Sequence, residues 1–256
     1  MTTPHTLRRS SLALFECACS ALAWCDLERE HDRAEVAAAQ RESLHAAFRH
    51  AFAGVGLPRF TRRDLRITHT ALGRPRPRRS GPLAVWGRLQ GLRAQDLHVS
   101  FSHDGGKLVT LVGWRPGLRG LGIDLVYLPR LEHPGKDRDY LHRLARRCMA
   151  EDEYRAFAAT LRSDRMEDLR FRVAVAFALK EAASKALGTG LRLGLGLGSA
   201  ASPTLRSLPV AWNEASPTVA AVGDAAAALK RIRARHLVAS ASAVGDFVSA
   251  EVAAVG

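Results

Sequence analysis

Asp124 stands in the run Leu121-Gly122-Ile123-Asp124-Leu125-Val126-Tyr127-Leu128, among apolar residues and a glycine. A carboxylate projecting from so apolar a strand needs a cation or hydrogen-bond donors. Its bland role would be to accept backbone N–H bonds. Glu181 and Lys185 are four residues apart in a long apolar segment, and helical geometry puts both on one face. Ala174, Phe177 and Ala178 share that stripe, so an apolar face ends in an acid and a base. A surface ion pair there would contribute only about 0.2 to 0.5 kcal/mol, and the flanking alanines argue against that setting. Lys180 lies on a different face but is a further cation for an anionic ligand. Two carboxylates from separate elements plus a lysine suit a hard divalent cation that holds phosphate oxygens. Magnesium needs only one or two protein carboxylates, with water and phosphate completing its octahedron. Lys185 would act as a point charge on a phosphoryl group. His103 at a strand end, Ser102, Arg74 and Arg76 could add phosphate donors, although a basic loop can also be merely solvated. Ser102 is poorly placed as a nucleophile, because adjacent strand residues point to opposite faces and His103 cannot easily activate it.

These residues need a scaffold, and the pattern supplies one. Val36, Leu44, Phe48 and Phe52 recur at helical spacing over residues 33–53. Residues 65–70 alternate like a strand. The stretch Gly73-Arg74-Pro75-Arg76-Pro77-Arg78-Arg79 is too proline-rich for a helix or a central strand and reads as an exposed basic loop. Residues 97–102 alternate as a half-buried strand, Asp104-Gly105-Gly106 reads as a hairpin turn, and 108–114 is the return strand. Pro116-Gly117 makes another turn, and 120–128 a third strand, giving an antiparallel meander. Residues 167–187 form the longest helix, apolar nearly all round from Phe171 to Leu179 and stopped by Gly188 and Gly190. A glycine-rich run to Gly198 follows, then loop and strand over 203–217, a basic helix over 225–235 and a final hairpin over 237–255.

The two halves echo each other at an offset of 140 residues. Leu97 falls on Leu237, Ser100 on Ser240, Ser102 on Ser242 and Gly105 on Gly245, while His103 falls on Ala243. The expected fold is α+β: two similar subdomains, 1–116 and 117–256, related by a pseudo-twofold, each a small antiparallel sheet packed with helices. A site around His103 would then exist once.

The chain has 256 residues and a net charge of +13, from 38 Lys and Arg against 25 Asp and Glu. Such a surface expects an anionic partner. Aromatic residues are not interleaved with the basic clusters, so no stacking platform for nucleic acid is visible. Cys17, Cys19, Cys25 and Cys148 lack metal-ligand spacing and read as idle thiols of a reducing, cytoplasmic compartment. No apolar run is long enough to span a bilayer. The stretch from Leu12 to Ala23 behind Arg8-Arg9 superficially resembles a signal peptide but is broken by Glu16.

Four motifs in order carry a resemblance. Gly122-Ile123-Asp124, and Phe177-Ala178-Leu179-Lys180-Glu181-Ala182-Ala183-Ser184-Lys185-Ala186-Leu187-Gly188, resemble the two signature motifs of the 4′-phosphopantetheinyl transferases. Val99-Ser100-Phe101-Ser102-His103 is similar to the family's Ser-His motif, and Gly73-Arg74-Pro75 to its Gly-Arg/Lys-Pro motif. The length resembles the larger, pseudo-dimeric surfactin-synthetase-activating type. Val126 departs from that type, which has a second acid there, and resembles the small trimeric carrier-protein synthases. So do Arg130-Leu131-Glu132, Arg143-Leu144-Ala145-Arg146-Arg147 and Gly188-Thr189-Gly190-Leu191-Arg192.

The resemblance implies magnesium-dependent transfer of the phosphopantetheine arm of coenzyme A to a serine of an apo carrier protein, releasing adenosine 3′,5′-bisphosphate. It implies that Asp124 and Glu181 bind magnesium and that Lys185 holds the pyrophosphate. His103, Ser102, Arg74 and Arg76, with Lys180, would bind the coenzyme's phosphates. The serine proton would go to Glu181 or to a metal-bound water. Arg130, Arg143, Arg146 and Arg147 would receive an acidic acyl or peptidyl carrier, with a solvated helix face as their plainer role. A pseudo-dimer implies a monomer. The alternative is a catalytically impaired member that binds coenzyme A or a carrier without efficient transfer.

Overall fold

The computed structural model describes residues 6–9, 20–29, 32–70, 74–132, 137–162, 164–190, 204–212 and 217–256. In chain order the elements are β1 (Thr6–Arg9), β2 (Ser20–Asp26), α1 (Arg33–Ala51), β3 (Leu65–His69), β4 (Pro75–Arg79), α2 (Gly81–Leu89), β5 (Leu97–Asp104), β6 (Lys107–Trp114) and β7 (Leu118–Tyr127). There follow α3 (Asp137–Cys148), α4 (Glu151–Thr160), α5 (Met166–Leu187), β8 (Val210–Trp212), β9 (Pro217–Val219), α6 (Gly223–Arg231), β10 (His236–Val244) and β11 (Phe247–Val255). One sheet has the order β1-β2-β6-β5 and a second the order β10-β11-β7, while β3-β4 and β8-β9 are two-stranded ribbons. All pairings are antiparallel. This is the expected α+β fold of small antiparallel sheets and helices.

The element order occurs twice. β2-β6-β5 with α1 corresponds to β7-β11-β10 with α5, and each half interposes a ribbon and a short helix before its hairpin. Even the register repeats: Leu97 pairs with Trp114, and Leu237 with Ala254. Each strand of the second pair lies 140 residues beyond its counterpart in the first. Asp124 pairs with Ala250, and the corresponding pair in the first half is Ala23 with Thr110. The first half thus carries a small apolar residue where the second carries the carboxylate.

The meander expected over 97–128 is corrected. β5 and β6 form the hairpin, with Gly105 and Gly106 at φ of 53° and 72° in its turn. β7 leaves this sheet and pairs with β11, because the other edge of β6 is already occupied by β2. It nevertheless lies against β5, where side chains satisfy its outward N–H groups. Ser100 Oγ accepts from Ile123 N–H at 3.1 Å, Ser102 Oγ from Leu125 N–H at 3.2 Å and Asp104 Oδ2 from Tyr127 N–H at 2.8 Å. Buried donors must find acceptors, and this side-chain ladder supplies them across the seam between the sheets.

The basic loop is corrected too: residues 75–79 are a strand. Thr70 N–H donates to Arg74 O and Ser80 N–H to Asp64 O, so the paired positions of the ribbon are the even ones. Pro75 and Pro77 lie opposite His69 and Ile67, at positions that owe the ladder no N–H.

α1 begins at Asp32, whose carboxylate accepts from the N–H groups of Ala34 and Glu35. α5 is buried on most sides and ends at Gly188, with φ of 69°. It packs against β7 through backbone contact. A Cβ at Gly120 would lie 1.8 Å from Ala186 O, and one at Gly122 would lie 1.8 Å from Ala182 O. The sixth helix starts at Gly223 and ends at Arg231, earlier than the expected 225–235, and Arg233 has φ of 57°. The stretch that resembles a signal peptide ends in β2, where Leu22 and Trp24 are core residues. Cys25 and Cys148 are free and buried, and burial pushes both thiols up to about 11. Cys17, Cys19 and the glycine-rich run 191–198 lie outside the described residues.

Candidate active site

The close approach of α5 to β7 builds the site. Gly120, Gly122 and Asp124 occupy alternate positions of β7, so they share the face toward α5. The glycines let the helix lie down on the strand, and Asp124 is the first side chain in that row. Glu181 and Lys185 project from the contacting face of α5 one turn apart. Lys185 Nζ lies 2.7 Å from Asp124 Oδ1 and 2.9 Å from Ile123 O, and also donates to Ser102 Oγ at 3.2 Å. Ser102 Oγ in turn donates to Asp124 Oδ1 at 2.8 Å. Asp124 is 7% exposed, so this compensation is needed. Burial, and then the charge of Asp124, push the Glu181 carboxyl up to about 7, with Lys185 opposing. A carboxyl made costly to ionise by burial and by a neighbouring carboxylate is a fit for a divalent cation with oxygen ligands. Among the described residues no cluster of three metal-ligating side chains occurs, and Asp124 and Glu181 would be their contribution to such a site.

Two cavities meet at this constellation. The larger, of about 810 Å³, lies between the β3-β4 ribbon and β5 and reaches Lys185. Its wall carries Arg74, Arg76, Arg78, Arg79, Arg119, Lys185, His69 and His98 and, among the described residues, no carboxylate. Cations so concentrated fit a polyanion. Arg79 is held in place by the carbonyls of Ala84 and Leu92 and stacks on Trp114, with its guanidinium 4.7 Å from the ring centroid. Arg74 lies over Gly188, where a Cβ would come within 2.4 Å of its guanidinium.

The smaller cavity, of about 330 Å³, is lined by Asp124 and Glu181 together with the apolar side chains of Leu125, Val126, Leu131, Tyr140, Leu144, Val173, Ala174 and Phe177. Ser102, His103, Asp104 and Arg130 complete it. Arg130 donates to Asp104 Oδ1 at 2.5 Å.

The candidate residues thus divide. Asp124, Glu181, Lys185 and Ser102 converge. Arg74 and Arg76 join Lys185 in the large cavity, but His103 is exposed and faces the smaller one, away from them. Lys180 is corrected: it is fully buried, points away from the site and pairs with Glu153 at 2.6 Å, because successive helix residues point about 100° apart. Arg143, Arg146 and Arg147 are exposed on α3, and none makes an ion pair among the described residues. The same helix contributes Tyr140 and Leu144 to the smaller cavity. Sequence reading missed His98 and Arg119. The signal for His98 was alternation, since it lies two positions before Ser100 on the same strand.

A family model described as the 4′-phosphopantetheinyl transferase superfamily matches residues 120–228, the span that holds Asp124, Glu181 and Lys185. Over that segment the chain is similar to the 4′-phosphopantetheinyl transferase superfamily. The holo-[acyl-carrier-protein] synthase of Sodalis glossinidius is 44% identical over 77 residues, covering 30% of this chain and 54% of that protein. Its counterpart in Klebsiella pneumoniae is 42% identical over 77 residues, with the same coverage. The chain therefore spans about half the length of the curated relatives it matches. Among solved structures, the holo-[acyl-carrier-protein] synthase of Neisseria meningitidis superposes with a TM-score of 0.42 at 24% identity, over 54% of this chain and 99% of that one. Among the described residues no helix is long and apolar enough to cross a membrane.

Proposed function

We propose that this chain transfers the 4′-phosphopantetheine arm of coenzyme A to a serine of an apo carrier protein, with magnesium, and releases adenosine 3′,5′-bisphosphate. The observation that carries this reading is the junction of the two cavities at Lys185 and Asp124, a cationic chamber on one side and a mostly apolar groove with two carboxylates on the other. Coenzyme A has the matching halves, a phosphorylated nucleotide and a neutral arm joined by a pyrophosphate.

In this reading Arg74, Arg76 and Arg119 hold the nucleotide's phosphates, and Lys185 neutralises charge on the pyrophosphate. Asp124 and Glu181 would hold the magnesium ion, which supplies charge neutralisation for phosphoryl transfer. Ser102 orients Asp124 and Lys185 through its two bonds. The serine oxygen of the carrier forms a bond to the phosphorus next to the arm. The bond from that phosphorus to the nucleotide's bridging oxygen breaks, the nucleotide leaves as adenosine 3′,5′-bisphosphate, and the serine proton passes to Glu181 or to water. The apolar groove takes the arm and excludes water from the reacting end. The exposed arginines of α3, with Arg130, receive an acidic carrier beside that groove. The halves 1–116 and 117–256 act as two quasi-equivalent units with a single site at their β5–β7 seam.

The test is intact-mass spectrometry of a panel of apo carrier proteins incubated with the full chain, coenzyme A and magnesium. A gain of one phosphopantetheine arm, lost with EDTA, is expected. No gain on any acyl or peptidyl carrier would overturn the reading.

A further inference from the structure

His98 lines the inner wall of the arginine-lined cavity. Its Nε2 lies 3.2 Å from Leu118 O, so that nitrogen carries the hydrogen and donates to the carbonyl. Nδ1 keeps its lone pair and accepts a long hydrogen bond, 3.5 Å, from a terminal nitrogen of Arg74, a bond that protonation of Nδ1 would replace. The charged groups that face the ring are Arg74 beside β4, Arg119 on β7 and Asp96 just before β5. Asp96 is already held by Arg93 through two bonds of 3.0 and 3.2 Å. Burial, and then Arg74, push the imidazole down to about 4. The ring is therefore neutral at pH 7, a base beside cations, with no carboxylate in the cavity wall among the described residues and with Asp96 near the ring but engaged by Arg93. A dianion beside the ring opposes the Arg74 and Arg119 charges that add to burial in keeping it neutral.

We propose that His98 takes up a proton when a phosphate monoester dianion enters the large cavity, so that the anion is held by an imidazolium together with Arg74 and Arg119. This rests on the function proposed above and deepens it, since it makes recognition of the nucleotide's phosphate proton-coupled. The step is a protonation alone: solvent gives one proton to Nδ1, no bond to phosphorus is made or broken, and the proton returns when the ligand leaves. His103 cannot serve here, because it faces the other cavity.

The experiment is isothermal titration calorimetry of the full chain with adenosine 3′,5′-bisphosphate at pH 7.5, in HEPES and in Tris, whose ionisation enthalpies differ. The wild type should take up close to one proton per ligand, and affinity should rise about tenfold per pH unit between pH 8 and 7. His98→Gln keeps a donor for Leu118 O but does not titrate, so it should bind more weakly with no proton uptake and a flat pH dependence. Histidine ring NMR signals of the wild type give a second reading, with His98 neutral when free and protonated when bound. Equal proton numbers in the two variants, or a ring that stays neutral in the complex, would overturn the inference. If carriers are still modified in the mass assay, the proposed function stands without it. No binding of adenosine 3′,5′-bisphosphate to the wild type would sink both.

Discussion

Lys185 Nζ is 2.7 Å from Asp124 Oδ1, yet the two residues line different cavities. The ammonium stands between the arginine-lined cavity and the cavity that Asp124 and Glu181 line. Besides Ser102 Oγ, its other partners are fixed backbone oxygens of β5 and β7, Phe101 O and Ile123 O. The lysine is therefore preorganised by both strands of the seam, and Asp124 is its one charged partner among the described residues. Charge placed in advance costs no reorganisation when a phosphate arrives.

Asp124→Asn keeps the shape of this contact and removes its charge. Transfer to a carrier should fall by about 10² to 10³, the usual cost of losing one such electrostatic group. The measurement is the initial rate of mass gain, with a circular-dichroism melt to establish folding. An unchanged rate in a folded variant would remove Asp124 from the site.

The serine ladder separates structure from chemistry. Ser100→Ala and Ser102→Ala each strand one β7 donor, Ile123 N–H or Leu125 N–H, and should each destabilise the fold by about 1 to 3 kcal/mol in urea. Only Ser102→Ala should also lower the transfer rate, because Ser102 alone of the two touches Asp124 and Lys185. Equal rate losses in both would mean that the ladder acts through stability.

Metal binding should follow the Glu181 carboxyl. That group titrates near 7 in the metal-free protein, and a ligand must be ionised to bind. Below pH 7 protons compete, so Mn²⁺ affinity should fall about tenfold per pH unit between pH 6.5 and 5.5. Calorimetry with Mn²⁺ reads this directly, and a Glu181→Gln variant should bind weakly with no pH slope. Affinity flat across that window in the wild type would exclude Glu181 as a ligand.

Carrier recognition should respond to α3. Reversing Arg143 and Arg147 to Glu should raise the KM for an acidic carrier by about an order of magnitude and leave kcat within a factor of a few. The wild-type KM should rise with salt, and the variant's should not. Unaltered KM values would place the docking surface elsewhere.

Free of ligand, the protein should lose stability on acidification through His98. The folded state holds this ring at about 4, below the ordinary 6.5, chiefly because of burial and then Arg74. The unfolded chain therefore binds more protons between those values, and the native contribution, present above 6.5, declines as pH falls. At pH 5 about 2 kcal/mol is lost. His98→Gln should lose less over the same interval in urea titrations, and identical pH profiles for the two proteins would contradict the assignment.

The convergence of Asp124, Glu181 and Lys185 is legible in the sequence because it rests on local periodicity: a four-residue helical spacing, and an acid in an apolar strand after glycines. The sheet that β7 joins is not. Tyr127 pairs with Phe247, and no short-range signal encodes so distant a partner. The β3-β4 ribbon reads as loop because whether a proline breaks a ladder depends on register, which local composition does not state. His103 draws attention through its motif and His98 does not, although strand parity alone sets which of the two shares a face with Ser100 and Ser102. Lys180 resembles a ligand-binding lysine by its neighbours, and only the arrangement of α4 beside α5 shows it bonded to Glu153.

A two-stranded ribbon at a surface ordinarily invites a strand from another molecule to add to it. In β4 the outward-facing positions are 75, 77 and 79, and the prolines at the first two have no N–H. The outer rim of β4 therefore offers an incoming strand no donors at those two positions. The ribbon can thus stand beside the large cavity while offering an incoming strand a poor template along that rim.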